Sequence, residues 1–265
     1  MTRTDQTATY VYCLVQRADG RAPSAARAPR GLPGAGPARV VDAGGGLWLV
    51  TAAAPLARYS ADAIERGLHD LEWVSRCALA HEATVEHFAR SGTVVPMKLF
   101  TLFSSEERAR AHVQRSRGKL DRLIGRIAGR AEWGVRLTLD EARARRVLLA
   151  SPRGSGRGDG VGTRFLRERQ RTQQAARRVV ADARAQGERV FRVLSRRADD
   201  ARRLTPPVQG PGVQLLLDAA FLVPVRRTHA WQAAVAALAR ELRGRGLDLT
   251  LSGPWPAYNF VADPA

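Results

Sequence analysis

The chain has 265 residues, 45% of them hydrophobic, and a formal net charge of +18. That is enough apolar material for one large core or two modest ones, and two domains are expected. No charged leader with an apolar run opens the sequence, and no apolar stretch approaches the roughly 20 residues of a membrane span, so a cytoplasmic protein is expected. Two cysteines, Cys13 and Cys77, are too few for a disulfide framework and wrongly spaced for a zinc knuckle; both read as buried thiols.

In chain order, Thr9 to Val15 carries Tyr10, Val11, Tyr12, Leu14 and Val15 and predicts a strand buried on at least one face. Asp19 to Pro37 is rich in Gly, Pro, Ala and Arg and predicts a mobile loop with little to bury. Val40 to Asp42 and Leu47 to Thr51 flank Gly44, Gly45 and Gly46 and predict a hairpin. Ser60 reads as the N-cap of one long helix, with Tyr59 and Ile64 at staple positions and an apolar stripe through Ile64, Leu68, Leu71, Val74, Ala78, Val85 and Phe88. Val94 to Phe100 predicts a strand that Pro96 confines to a sheet edge or a bulge. Ser104 and Glu107 stand at capping-box spacing for a second helix running through Val113, Leu120, Leu123 and Ile127.

Trp133, Val135, Leu137 and Leu139 alternate on one face of a strand that opens the second domain, giving a division into 1–130 and 131–265. From about Thr163 to Arg203 a helical pattern runs through Phe165, Leu166, Ala176, Val179, Ala183, Val190, Leu194 and Ala201, bent or broken near Gly187. Val213 to Val223 predicts a strand, Thr228 caps a helix bearing Trp231, Val235, Leu238 and Leu242, and Leu247, Leu249 and Leu251 predict a last strand. The fold class is α+β, with two domains. The second reads as a modified ferredoxin-like sheet with long helices, one strand short of the full βαββαβ pattern.

The charge is localised. The 43 basic residues are 41 arginines and two lysines, and 18 of those arginines lie with 7 acidic residues between Glu141 and Arg203, so +11 of the +18 falls in less than a quarter of the chain. An arginine-lined helix steers an acidic partner, follows a phosphate backbone, or is simply a solvated face, and the three readings stand side by side. Arg164, Arg167, Arg171 and Arg178 are the candidates for partner contact.

A search for chemistry finds little. Cys77 and His81 are four apart with Glu82 adjacent, the best metal candidate present, but His81 sits on the apolar stripe and a buried, hydrogen-bonded histidine is the favoured reading. Glu82 and Glu86 share a helix face and read as members of surface ion pairs. No nucleophile motif stands out, so no catalytic residue and no cofactor are expected. The arginine-rich stretch holds only Phe165 and Phe191 as aromatics, which argues against specific nucleic-acid binding.

The C-terminal segment from Ser252 to Phe260 is of another kind. It places Pro254, Pro256, Trp255, Tyr258 and Phe260 directly after a strand, and it either clamps the domains together or anchors a partner.

Four stretches together resemble the gas vesicle protein F/L family: Tyr10-Val11-Tyr12-Cys13-Leu14-Val15; Asp70-Leu71-Glu72-Trp73 to His81-Glu82 followed by Val95-Pro96-Met97-Lys98-Leu99 and Thr101-Leu102-Phe103; Glu132-Trp133-Gly134-Val135 with Gly162-Thr163-Arg164-Phe165-Leu166; and Ser252-Gly253-Pro254-Trp255-Pro256-Ala257-Tyr258-Asn259-Phe260-Val261. The chain departs from the family's common pattern at Ala257, where a second proline before the tyrosine is usual. It departs again at Lys98-Leu99-Phe100, where Arg-Phe-Gly follows the strand proline in the family. The resemblance implies an accessory or minor structural component of gas vesicles that binds the small hydrophobic, GvpA-type shell subunit, with other vesicle accessory proteins as further partners and no cofactor. Trp255, Tyr258 and Phe260 join the arginines as expected partner contacts. His81, Glu82, Pro96, Trp133, Pro254 and Pro256 are expected to act structurally. An arginine-rich nucleic-acid binder and a metal-dependent enzyme are the competing classes.

Overall fold

In a computed structural model of the chain, residues 6–150, 161–205 and 213–261 are described, apart from the side chains of 145, 147–150, 161–176 and 213. The chain divides into two compact units, Met1–Arg130 together with Trp255–Ala265, and Ala131–Pro254. The fold is α+β with two antiparallel sheets.

The first unit is built on β1 (Thr7–Gln16), β2 (Arg39–Gly44), β3 (Leu47–Pro55), β4 (Thr93–Pro96) and the two-residue β5 (Leu102–Phe103), ordered β2-β3-β1-β4 with β5 also on β1. Residues 8–15 of β1 are all buried, the pattern of a central strand covered on both faces. Gly44, Gly45 and Gly46 join β2 to β3 with φ of 87°, 59° and 76°, a turn that side chains with a Cβ resist. β4 is the outer strand and ends at Pro96, where a missing N–H costs no ladder bond.

The helical stripe predicted from Ser60 to Phe88 is interrupted. After α1 (Leu56–Tyr59), Ser60 caps α2 (Ala61–Gly67), accepting from the Ala63 N–H at 3.3 Å, and Asp70 starts a new helix, α3 (Leu71–Ala89), its carboxylate accepting from Glu72 and Trp73 N–H at 3.0 Å. The cap at Asp70 satisfies donors that a continuous helix would not have left open. Rephasing follows: Cys77, His81, Thr84, Val85 and Phe88 are buried, whereas Leu68 and Leu71 are not. The next helix is likewise two, α4 (Glu106–Arg115) and α5 (Arg117–Ile127), and its cap is Ser105, one residue beyond the expected Ser104.

The expectation that the loop before β2 has little to bury is corrected. Leu32 is 2% exposed, its N–H donates to the Tyr12 hydroxyl at 3.0 Å, and the Tyr59 hydroxyl donates to the Pro33 carbonyl at 2.7 Å, so this Gly- and Pro-rich segment is packed on the core. Gly31 is required there, because a Cβ would stand 2.0 Å from the Tyr12 hydroxyl oxygen.

The second unit runs β6 (Arg130–Asp140), α6 (Glu141–Ala150), α7 (Val161–Ser195), β7 (Asp200–Arg203), β8 (Val213–Pro224), a single 3-10 turn, α8 (Thr228–Arg243) and β9 (Leu247–Trp255), with strand order β7-β8-β6-β9. Trp133, Val135, Leu137 and Leu139 of β6 are buried with Phe221 and Val223 of β8, Val190 and Leu194 of α7, and Trp231, Val235, Leu238 and Leu242 of α8. Thr228 is the first residue of α8 and makes no side-chain cap.

The strand missing from the sequence reading is β7, which that reading absorbed into the helix. Two arginines and no apolar alternation hide it; its pairing with Ala219 to Leu222 of β8 forms it. Nor does α7 break at Gly187. The residue lies within the helix, and a Cβ there would meet the Leu216 carbonyl oxygen of β8 at 3.3 Å, so glycine allows helix and sheet to approach. Among the described residues no helix is long and apolar enough to cross a membrane. After β9, α9 (Tyr258–Val261) closes the first unit.

Candidate functional site

Three groups of side chains single themselves out. The first is polar and buried. α3 presents His81 to the sheet, where its Nδ1 lies 2.6 Å from the Tyr10 hydroxyl and its Nε2 3.1 Å from the Met97 carbonyl. A carbonyl only accepts, so Nε2 carries the proton and Nδ1 accepts from Tyr10. The Phe100 N–H in turn donates to the Tyr10 hydroxyl at 3.3 Å. Phe100 has φ of 64°, a left-handed backbone unusual for a bulky residue, and its ring stacks on Trp73 at 5.2 Å. The Met97 to Phe100 turn thus wraps the Tyr10–His81 pair.

Electrostatics agree with a neutral, structural imidazole. Burial pushes the His81 pKa down to about 4, the Met97 carbonyl only partly opposing it. Burial likewise raises Tyr10, Tyr12, Tyr59, Cys13 and Cys77. With both ring nitrogens of His81 in hydrogen bonds, neither presents a lone pair to a metal. Among the described residues no group of three or more His, Cys, Asp and Glu side chains comes together to hold one. Glu82 is half-buried. Burial first, then the charge of Glu86, raises its pKa; no ion pair for either glutamate is present among the described residues, against the expectation of surface pairs.

The second group is the C-terminal segment. Phe260 is fully buried, its carbonyl accepts from Arg126, and Tyr258 packs on the core of the first unit. Trp255, Pro256 and Tyr258 are half-buried and Pro254 exposed, following a cis peptide bond from Gly253. Phe260, expected among the partner contacts, therefore has no surface to offer in this fold.

The third group is exposed. Leu68, Leu71 and Leu79 are 52%, 80% and 65% exposed. Leu71 and Leu79 are eight residues apart on α3, about 80° round the helix axis, and so share a side. The sequence reading missed them as surface because it placed Leu68 and Leu71 on the buried stripe. The Asp70 cap was the signal that the phase changes there. Of the arginine candidates, Arg178 is exposed on α7, and the side chains of Arg164, Arg167 and Arg171 lie outside the described residues.

Residues 8–262 match the family described as "Gas vesicle synthesis protein GvpL/GvpF". The chain belongs to the GvpL/GvpF gas vesicle family. Gas vesicle protein L from Streptomyces sp. (strain CB03234) is 28% identical over 256 residues, covering 95% of this chain and 92% of that protein. Two solved structures share the GvpL/GvpF fold. The gas vesicle protein GvpF from Anabaena sp. PCC7120 superposes with a TM-score of 0.69 at 16% identity over 98% of both chains. That from Microcystis aeruginosa superposes with a TM-score of 0.65 at 16% identity over 96% of this chain and 99% of the other. The Tyr10–His81–Met97 knot and the buried Phe260 thus belong to the scaffold of a gas vesicle synthesis protein.

Proposed function

We propose that this protein is an accessory or minor structural component of gas vesicles that binds the hydrophobic, GvpA-type shell subunit in the cytoplasm and limits its aggregation while vesicles nucleate and grow. The observation that carries the reading is a set of three exposed leucines, Leu68 just after α2 and Leu71 and Leu79 on α3, projecting from a well-packed unit. A subunit destined for a gas-filled wall exposes apolar surface before it assembles, and a partner that offers matching apolar area shields it. The arginines Arg164, Arg167, Arg171 and Arg178, with Trp255 and Tyr258, supply electrostatic selection and aromatic contact. The work is binding and not catalysis. The order strand-helix-strand-strand-helix-strand supports reading the second unit as ferredoxin-like.

Co-expression with the shell subunit, followed by affinity capture and light scattering, tests this. Wild type is expected to co-purify with the subunit and suppress its scattering. Leu71→Asp with Leu79→Asp is expected to lose both effects with an unchanged melting temperature, since both positions are exposed. A subunit that aggregates identically with wild type, variant or neither would overturn the reading.

A further inference from the structure

The last two turns of α7 and the edge strand β7 enclose an open groove of about 520 Å³, lined by Glu188, Phe191, Arg192, Ser195, Arg196 and Arg203. Four of these residues come from one face of the helix, since 188, 191, 192 and 195 recur at three- and four-residue spacing, and Arg196 follows in the turn directly after it. The sixth, Arg203, comes from β7. Its guanidinium carbon sits 4.1 Å from the centre of the Phe191 ring and its Nη2 2.7 Å from a Glu188 carboxylate oxygen. The stacking and the ion pair hold one planar cation in a set orientation across the groove.

Glu188 is satisfied by Arg203. Arg192 and Arg196 are exposed, one turn apart, and have no acidic partner among the described residues. Two like charges at this spacing repel each other. The negative end of the α7 dipole offsets part of that repulsion and accounts for cations at a helix C-terminus. It does not account for a third guanidinium placed opposite them over an aromatic floor.

We infer that this groove is a docking site for an acidic peptide segment of a partner protein, whose carboxylates meet Arg192 and Arg196. Charge complementarity selects that occupant: three guanidiniums face one carboxylate, and the carboxylate is already neutralised. A nucleic-acid strand fits less well. Bases stack on open aromatic faces, and Phe191, the groove's one ring, is covered on a face by Arg203. The inference does not depend on the shell subunit being the partner.

The test uses the full chain and fluorescein-labelled hexaglutamate, read by fluorescence anisotropy at about 0.05 M salt, where the screening length exceeds the groove's charge spacing. Arg192→Glu with Arg196→Glu is expected to weaken binding on the order of tenfold or more. Arg110→Glu with Arg122→Glu removes the same charge from exposed positions of the first unit and is expected to leave binding within about twofold once the non-specific field is allowed for. Equal loss in both double variants would mean that net charge alone holds the peptide, and would overturn the proposal. So would absence of hexaglutamate binding to wild type, or tighter binding of a labelled oligothymidylate that the groove variant abolishes. Because the probe is a free peptide, failure here leaves the shell-subunit experiment standing, and the reverse also holds.

Discussion

At the scale of single residues, the buried hydrogen-bond knot around His81 has the clearest measurable consequence. The folded imidazole holds its pKa near 4 against 6.5 when free, so between those values an unfolded chain takes up a proton that the folded chain refuses. Stability therefore falls as pH drops from about 6.5 towards 4. The depression corresponds to on the order of 3 kcal/mol at full effect. Urea unfolding at a series of pH values is expected to show this slope in wild type and its loss in His81→Gln, whose amide does not titrate. Equal slopes in the two proteins would show that His81 is not held neutral by burial. The residue's burial was legible from its place on an apolar stripe, but its partners were not. Tyr10 is 71 positions away and the Met97 carbonyl belongs to a turn whose shape depends on Phe100 and Trp73.

At the scale of elements, glycines show how one residue type carries opposite meanings. Gly125 lies in α5 with nothing within 4 Å of the point where an alanine methyl would stand, whereas Gly187 in α7 faces the Leu216 carbonyl at 3.3 Å. Gly125→Ala is expected to stabilise the protein by about 0.8–1 kcal/mol, the ordinary helix preference for alanine. Gly187→Ala is expected to gain none of this, and Gly187→Val to destabilise, because the strand must move away from the helix. Melting temperatures of the three variants decide it, and a stabilising Gly187→Ala would remove the close-approach explanation. Periodicity located the helices, yet it read α2 with α3, and α4 with α5, as continuous. The first break comes from the side-chain cap at Asp70 and the second from the non-helical backbone of Ser116, and both fit inside an apolar pattern without disturbing its average spacing. β7 escaped for a related reason, since a four-residue edge strand has too few positions for alternation to show.

At the scale of the whole molecule, the chain's last stretch joins the unit formed by its first half. Truncation after Pro254 removes the buried Phe260 and the carbonyl that Arg126 grips. Loss of a buried phenylalanine side chain alone costs about 3–5 kcal/mol. The first unit is therefore expected to melt at lower temperature or expose amides to hydrogen exchange, while amides of β6, β8 and α8 keep their protection. Uniform loss across both units, or none, would contradict the grouping of Trp255–Ala265 with the first unit. The charge was also legible only in part: its concentration between Glu141 and Arg203 stands in the sequence, but the groove that gathers Arg192, Arg196 and Arg203 does not.

The sequence by itself determined the α+β class, the hairpin at Gly44 to Gly46, the buried faces of β6 and α8, and the family, because turn chemistry, alternation and ordered motifs are written within a few neighbouring residues. Only the tertiary structure decided that the Gly- and Pro-rich loop is pinned at Leu32, that Leu71 faces outward, that Phe260 faces inward, and which arginines share a groove. Burial and charge pairing depend on what approaches from far along the chain, and local periodicity carries no record of that approach.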